Sequence, residues 1–99
     1  MASYRLSPLA ESDLEQIWLY TLNEWSLDQA NRYYDQIMDT IEELASGQKQ
    51  GRKVGIREGY LKYPSGRHFI FFRRSDGMTD VIRVLHQRMD VEAHLLGAR

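Results

Sequence analysis

The sequence predicts an α+β domain in which a helical hairpin packs on a small antiparallel sheet. Three observations carry this. Residues 8–46 show two consecutive apolar stripes at helical spacing, each opened by a serine cap. Residues 57–87 instead show short apolar runs broken by turn signals. Those runs follow one another with connections too short for a crossover, so they must be antiparallel.

The elements follow in order. Tyr4-Arg-Leu-Ser7 is a short strand. Ser7 then caps a helix with Pro8 in its first position, and the acidic Glu11, Asp13 and Glu15 suit the positive end of the helix dipole. Leu14, Ile17, Trp18, Thr21, Leu22 and Trp25 form its apolar stripe, with both tryptophans assigned to core packing rather than to a ligand box. Ser26-Leu-Asp-Gln29 matches a capping box and opens a second helix. Its inward face is Ala30, Tyr34, Ile37, Met38, Ile41, Leu44 and Ala45, and Gly47 stops it. Gln48 to Ile56 reads as a basic loop. Arg57 to Tyr63 is a strand, Pro64-Ser-Gly66 a turn, Arg67 to Arg74 the next strand, Ser75-Asp-Gly77 a hairpin turn, and Thr79 to Gln87 the last strand. Asp90 caps a short final helix, Val91 to Leu96, closed by Gly97. The order is β-α-α-β-β-β plus that helix. His68-Phe-Ile-Phe-Phe72 is apolar on both faces and should be the central strand, covered by the hairpin on one side and by the final helix on the other.

Ninety-nine residues make one domain, 1–99, with a modest core. There is no cysteine, hence neither a disulfide framework nor a thiolate metal site, which suits a reducing cytoplasm. No apolar run approaches the ~20 residues that span a bilayer, and the first residues lack the basic-then-apolar plan of a signal peptide. The net charge of −1 conceals a split. Residues 1–48 hold two basic and nine acidic side chains, a net of −7; residues 49–99 hold eleven basic and five acidic, a net of +6. Either the basic half faces an anionic ligand or acidic partner, or the two halves attract each other within the fold. A pI near 6.3 argues against stand-alone nucleic-acid binding.

Chemistry has few places to reside. The chain has no phosphate-binding glycine loop, no His-Glu-x-x-His spacing, and only three scattered histidines, His68, His86 and His94, so neither a metal nor a cofactor is expected. Arg57, Lys62, Arg67, Arg73, Arg83, His86 and Arg88 lie on or beside the expected sheet. Guanidinium and ammonium groups could hold a phosphodiester, and His86 could move a proton, which is the minimal equipment for metal-free RNA cleavage. The structural alternative has His86 bonded to an adjoining loop and Arg83 paired with an acidic group of the first helix. Strict alternation places Arg83 with Val81 and Leu85, and His86 with Ile82 and Val84.

The Gly66-Arg-His-Phe-Ile-Phe-Phe-Arg73 strand, the Ile82-Arg-Val-Leu-His-Gln-Arg-Met-Asp90 segment and the order of elements resemble the ParE toxins of bacterial toxin–antitoxin systems, within the RelE/ParE superfamily. The resemblance covers nearly the whole chain, and Val84 to Asp90 is its most specific part. It implies a cytoplasmic toxin in a hetero-oligomer with a ParD-like antitoxin, whose flexible C-terminal segment wraps the toxin. It further implies a non-catalytic poison that traps DNA gyrase with its DNA cut and so arrests growth. Arg57, Lys62, Arg67 and Arg73 are the residues expected to meet the antitoxin. RelE-like members of the superfamily instead cleave messenger RNA on the ribosome; for that activity Arg83 and His86 would be catalytic. Those members use a denser basic set and usually a C-terminal tyrosine or histidine, a pattern this sequence fills only in part.

Overall fold

A computed structural model describes residues 3–55, 57–89 and 95. Strand β1 (Ser3–Leu6) leads into helices α1 (Pro8–Glu24) and α2 (Leu27–Ser46), followed by β2 (Arg52–Lys53), β3 (Leu61–Ser65), β4 (His68–Ser75) and β5 (Met78–His86). The five strands form one sheet in the order β1-β5-β4-β3-β2, with β4 central. The β2–β3, β3–β4 and β4–β5 pairs are antiparallel, whereas β1 runs parallel to β5 at the edge.

Both helices lie on one face. Ala10 and Leu14 of α1, with Ile37, Ile41 and Leu44 of α2, bury themselves against Ile70, Phe72, Val81 and Val84. A smaller cluster sits on the opposite, outer face: Phe71 and Leu85 of the sheet with Tyr60 and Leu95, flanked by Val54, Phe69 and Ile82. Burial on both sides explains why His68 to Phe72 reads as continuously apolar. Asp90, Val91 to His94, Leu96 and Gly97, where the final helix is expected, lie outside the described residues; Leu95 is buried on the outer face.

The ends of the helices behave as their sequences dictate. The Ser7 hydroxyl accepts from the Ala10 amide (3.0 Å) and donates to the Ile82 carbonyl (2.6 Å), so one side chain caps α1 and ties it to β5. Ser26 accepts from the Gln29 amide. Gly47 closes α2 in the left-handed region at φ 85°. From β4, Arg74 donates to the Leu44 and Ala45 carbonyls (2.7 and 3.2 Å), placing a cation at the negative end of the α2 dipole.

Several expectations need correction. The strand expected over Arg57–Tyr63 is Leu61–Ser65, and Pro64 belongs to the strand rather than to the turn. Gly66-Arg67 alone makes the turn, with a positive φ of 58° at its first position, as a II′ hairpin requires. Ser65 and His68 then close the hairpin as a hydrogen-bonded pair, and alternation leaves the Pro64 nitrogen facing away from β4. That side is open, because β2 pairs only with Leu61 and Lys62, so the missing N–H costs nothing. Strand β2 itself lies inside the segment expected to be a loop. Asp76-Gly77, both at positive φ, form the I′ turn that the sequence anticipates.

Trp25 does not pack in the core: it follows the last turn of α1 and is 73% exposed. Trp18 is half-buried and donates its indole N–H to Asn31 of α2 (3.0 Å). Tyr34 also faces outward, and its neighbour Tyr33 packs inward instead.

Candidate functional site

Two regions bring together the side chains singled out in the sequence. The first is the outer face of the sheet. Phe71 belongs to the outer cluster, so alternation puts Arg73 beside it on the same face; Lys62, paired with Phe71, and Arg52, paired with Lys62, join them. The Lys62 ammonium lies 4.4 Å from the centroid of the Phe69 ring, and the Arg57 guanidinium 5.4 Å from that of Tyr60. Arg5 of β1 and Asp80 of β5 continue the row from Arg73. Asp80 accepts from Arg5 (2.7 Å), and that hydrogen bond holds its carboxyl below the ordinary range. This face is therefore an apolar cluster, buried at its centre and half-buried at Val54, Phe69 and Ile82, with a mostly cationic rim. It brings together Arg57, Lys62 and Arg73. Arg67 is not among them: it sits in the β3–β4 turn, past the end of the strands. Arg5 and Arg52, which the sequence reading omitted, belong here. Alternation from the inward Tyr4 and Leu6 would have found Arg5.

The second region is the end of the sheet where β4 begins and β5 finishes, beneath α2. Tyr33 reaches down from α2, and its hydroxyl contacts three groups. It accepts from the Arg67 amide (2.9 Å), lies 3.2 Å from the Ser65 carbonyl and is 2.7 Å from His68 Nδ1. The approach is close enough to require glycine at 66, since a Cβ there would stand 2.5 Å from the Tyr33 ring. His68 faces His86 across the strand pair, the rings edge to face with centroids 5.3 Å apart. His86 Nδ1 accepts from the Arg88 amide (3.1 Å), and Gln87 donates to the Gly66 carbonyl (3.2 Å), which ties the two chain reversals together.

Strict alternation fails in β5. Ile82 is an extra residue between the pairs Phe72–Val81 and Phe71–Arg83, so Val81 and Val84 share the helix-side cluster while Ile82 lies in the outer one with Leu85. Strand β1 ends opposite Val81, leaving the far end of β5 without a strand neighbour on that side. Helix α1 covers it. Asp13 accepts from Arg83 Nε and Nη2, both at 2.8 Å, and from the Val84 amide at 3.0 Å. The two side chains are 13% and 14% exposed. The bidentate bond holds the guanidinium more firmly protonated than usual. Arg83 and His86 are thus near neighbours in the chain, but the Arg83 fork is already filled by a carboxylate and His86 Nδ1 by a turn amide.

Burial, followed by the proximity of His86, pushes the His68 imidazole down to about 4, with Asp13 opposing the shift. Tyr33 from α2, Asp13 from α1, His86 from β5 and the Arg67 turn are the groups around it. The folded protein therefore favours neutral His68. Its contribution is complete above the unfolded value of ~6.5 and is lost as the pH falls toward 4, because only the unfolded chain takes up the proton in that window. Allowing for solvent screening of a half-buried ring, the loss is about 1–2 kcal/mol. Urea unfolding at pH 7 and pH 4.5 should show that difference between the wild type and His68→Gln; parallel pH profiles for the two would refute it.

Among the described residues, no group of three or more His, Cys, Asp or Glu side chains is placed to hold a metal ion, and no helix is long and apolar enough to cross a membrane.

Residues 4–91 match the family model described as the ParE toxin of the type II toxin–antitoxin system parDE. The chain is 44% identical over 94 residues to Toxin ParE1 of Mycobacterium tuberculosis, covering 93% of this chain and 96% of that one. It is 40% identical over 96 residues to Toxin ParE1 of Caulobacter vibrioides, covering 96% and 99%. Among solved structures, it resembles a chain of the chromosomal ParDE system of P. aeruginosa with a TM-score of 0.76, at 18% identity over 87% of this chain and 96% of that one. A chain of the toxin–antitoxin complex RelBE2 of M. tuberculosis matches with a TM-score of 0.64, at 17% identity over 87% and 98%.

Proposed function

The chain belongs to the ParE toxin family of type II toxin–antitoxin systems, and from that premise we propose that it poisons DNA gyrase without catalysing a reaction of its own. In this reading the protein stabilises gyrase with its DNA cut, and a ParD-like antitoxin neutralises it in a cytoplasmic hetero-oligomer. The observation that carries the choice against RNA cleavage is the bidentate Arg83–Asp13 pair. A guanidinium that must stabilise a developing phosphorane charge needs its fork free, and this one is held by a carboxylate within the fold. His86 is likewise engaged through Nδ1.

The outer face supports the antitoxin half of the proposal. The half-buried Val54, Phe69 and Ile82 at the margin of the outer cluster leave apolar surface for the hydrophobic side chains of an incoming segment, and Arg57, Lys62 and Arg73, together with Arg52, take its carboxylates.

The test is a cleavage assay with purified protein, gyrase, supercoiled plasmid and ATP, run beside ribosomes with messenger RNA. Linear plasmid covalently attached to gyrase is expected, with intact messenger RNA. Cut messenger RNA and untouched plasmid would instead select ribosome-dependent cleavage and make Arg83 and His86 its first suspects.

A further inference from the structure

Among the described residues, seven large apolar side chains are exposed, and five of them gather at the closed end of the helical hairpin: Leu19, Tyr20, Trp25, Leu27 and Tyr34. All lie within about two turns of the α1–α2 connection, roughly 10 Å along either helix. Tyr20, Trp25 and Leu27 are 66%, 73% and 56% exposed. Single apolar side chains on a surface need no explanation, whereas a group of them marks an interaction site. Tryptophan and tyrosine are also the residue types that dominate interface energies.

The backbone beneath this patch is held in place. The Trp18 indole donates to Asn31 across the two helices (3.0 Å). The Trp25 amide donates to the Thr21 carbonyl (2.9 Å), and the Ser26 hydroxyl accepts from the Gln29 amide (3.1 Å). The end of the hairpin is therefore ordered before any partner arrives, which lowers the entropic cost of docking.

Its charge selects the partner. Residues 15–35 hold four acidic side chains, Glu15, Glu24, Asp28 and Asp35, and one basic, Arg32, which is paired with Asp28 (2.8 Å). Glu15, Glu24 and Asp35 have no ion pair among the described residues. Glu15 stands one turn from Leu19, and Glu24 one turn from Tyr20, on the same helix faces. Such a rim repels DNA, an anionic membrane surface and the acidic segment that suits the opposite sheet face, and it attracts lysine and arginine. A second copy docked by two-fold symmetry would set acidic rim against acidic rim.

We propose that this end of the hairpin docks on a protein surface whose lysines and arginines surround apolar side chains, and that this surface belongs to the enzyme the toxin poisons. The inference rests on the gyrase reading and adds to it the face that meets the target. The basic sheet face serves the antitoxin; the acidic, aromatic end of the hairpin serves the enzyme.

The experiment compares the intact wild-type protein with two variants, Tyr20→Ala combined with Trp25→Ala, and Glu15→Lys combined with Glu24→Lys. All four positions are exposed, so both variants should keep the wild-type helical content by circular dichroism. In the gyrase plasmid-cleavage assay, each should raise the toxin concentration needed for half-maximal cleavage by about tenfold or more. Calorimetry should show an unchanged affinity for the cognate antitoxin. Wild-type potency in either variant would overturn the inference and leave the gyrase reading intact. Antitoxin affinity lost in step with potency would also overturn it, by assigning the patch to the antitoxin. So would sedimentation showing wild-type dimers that the aromatic variant does not form, since the occupant would then be a second copy. A wild-type protein that traps no gyrase would remove the gyrase reading, and this inference with it.

Discussion

Asp13→Ala is expected to lower the stability of this protein by about 3–5 kcal/mol. Two costs add. The substitution strands the Arg83 guanidinium in a site where its side chain is 13% exposed, and it leaves the Val84 amide without its acceptor. One gain opposes them: alanine is the better helix former in α1, by at most about 0.7 kcal/mol, which does not offset the loss. Asp13→Asn should cost less, since one oxygen can still accept a hydrogen bond. Removing both partners, as Asp13→Leu with Arg83→Met, should recover most of the stability, because an apolar pair of similar size avoids desolvating two charges. Urea unfolding followed by circular dichroism measures all three. A loss below 1 kcal/mol for Asp13→Ala would mean that Arg83 finds water easily, and would weaken the argument that its fork is occupied. The double variant has a second use. If it folds and still traps gyrase, the Arg83 guanidinium is dispensable for toxicity.

The local chemistry of the helix ends and the Asp76-Gly77 turn was legible because it depends on residues close in sequence. Ser7, Ser26 and Gly47 act where their types predict. The errors arise where a distant neighbour decides the outcome. Pro64 reads as a turn residue unless one knows that β2 is only two residues long and leaves that stretch of β3 as an open edge. Trp18 and Trp25 fit a helical stripe, but α1 buries its face on α2 and β5 through Ala10 and Leu14, and its last turn runs past them. Tyr33 and Tyr34 are both compatible with the α2 pattern. What selects Tyr33 is its hydroxyl's contact with His68 and the Arg67 amide, partners more than thirty residues away.

The candidate sites were legible in part for the same reason. That basic residues would line the sheet follows from composition and alternation, and for Lys62 and Arg73 this suffices, whereas Arg57 reaches the same face from the loop before β3, against the Tyr60 ring. Alternation fails at β5, where one extra residue, Ile82, resets the faces and lets Arg83 turn to the edge covered by α1. A bulge carries no strong residue signature of its own, so no count of alternating positions locates it. The charge split resolves in the same terms. Lys49–Glu43 and Arg83–Asp13 join the two halves, but Glu11, Glu15, Glu24, Asp35, Asp39 and Glu42 form no ion pair among the described residues. Attraction between the halves accounts for little of the segregation, which leaves an acidic helical layer opposite a basic sheet face.

That basic face gives the second large effect. Lys62→Glu combined with Arg73→Glu should weaken binding of the cognate antitoxin by about a hundredfold or more, since each reversal replaces an attraction to an acidic segment with a repulsion. The fold should tolerate both. Arg73 is exposed, and the contact of Lys62 with Phe69 is worth about 0.5–1 kcal/mol. Arg73→Glu also faces Asp80 across the strand pair, a like-charge cost of up to about 1 kcal/mol that the Arg5–Asp80 bond moderates. Arg67→Glu is the internal comparison. It carries the same change of charge, but in the turn beyond the strands, and should weaken binding less than either change on the face. Calorimetry at two salt concentrations separates the contributions, because affinity lost through long-range steering shrinks as salt rises whereas affinity lost through direct contact persists. Equal losses for Arg67→Glu and Arg73→Glu would show that the antitoxin responds to the net charge of the basic half and not to the outer face. Unchanged affinity in the double variant, with its circular dichroism spectrum intact, would remove this face from the interface altogether.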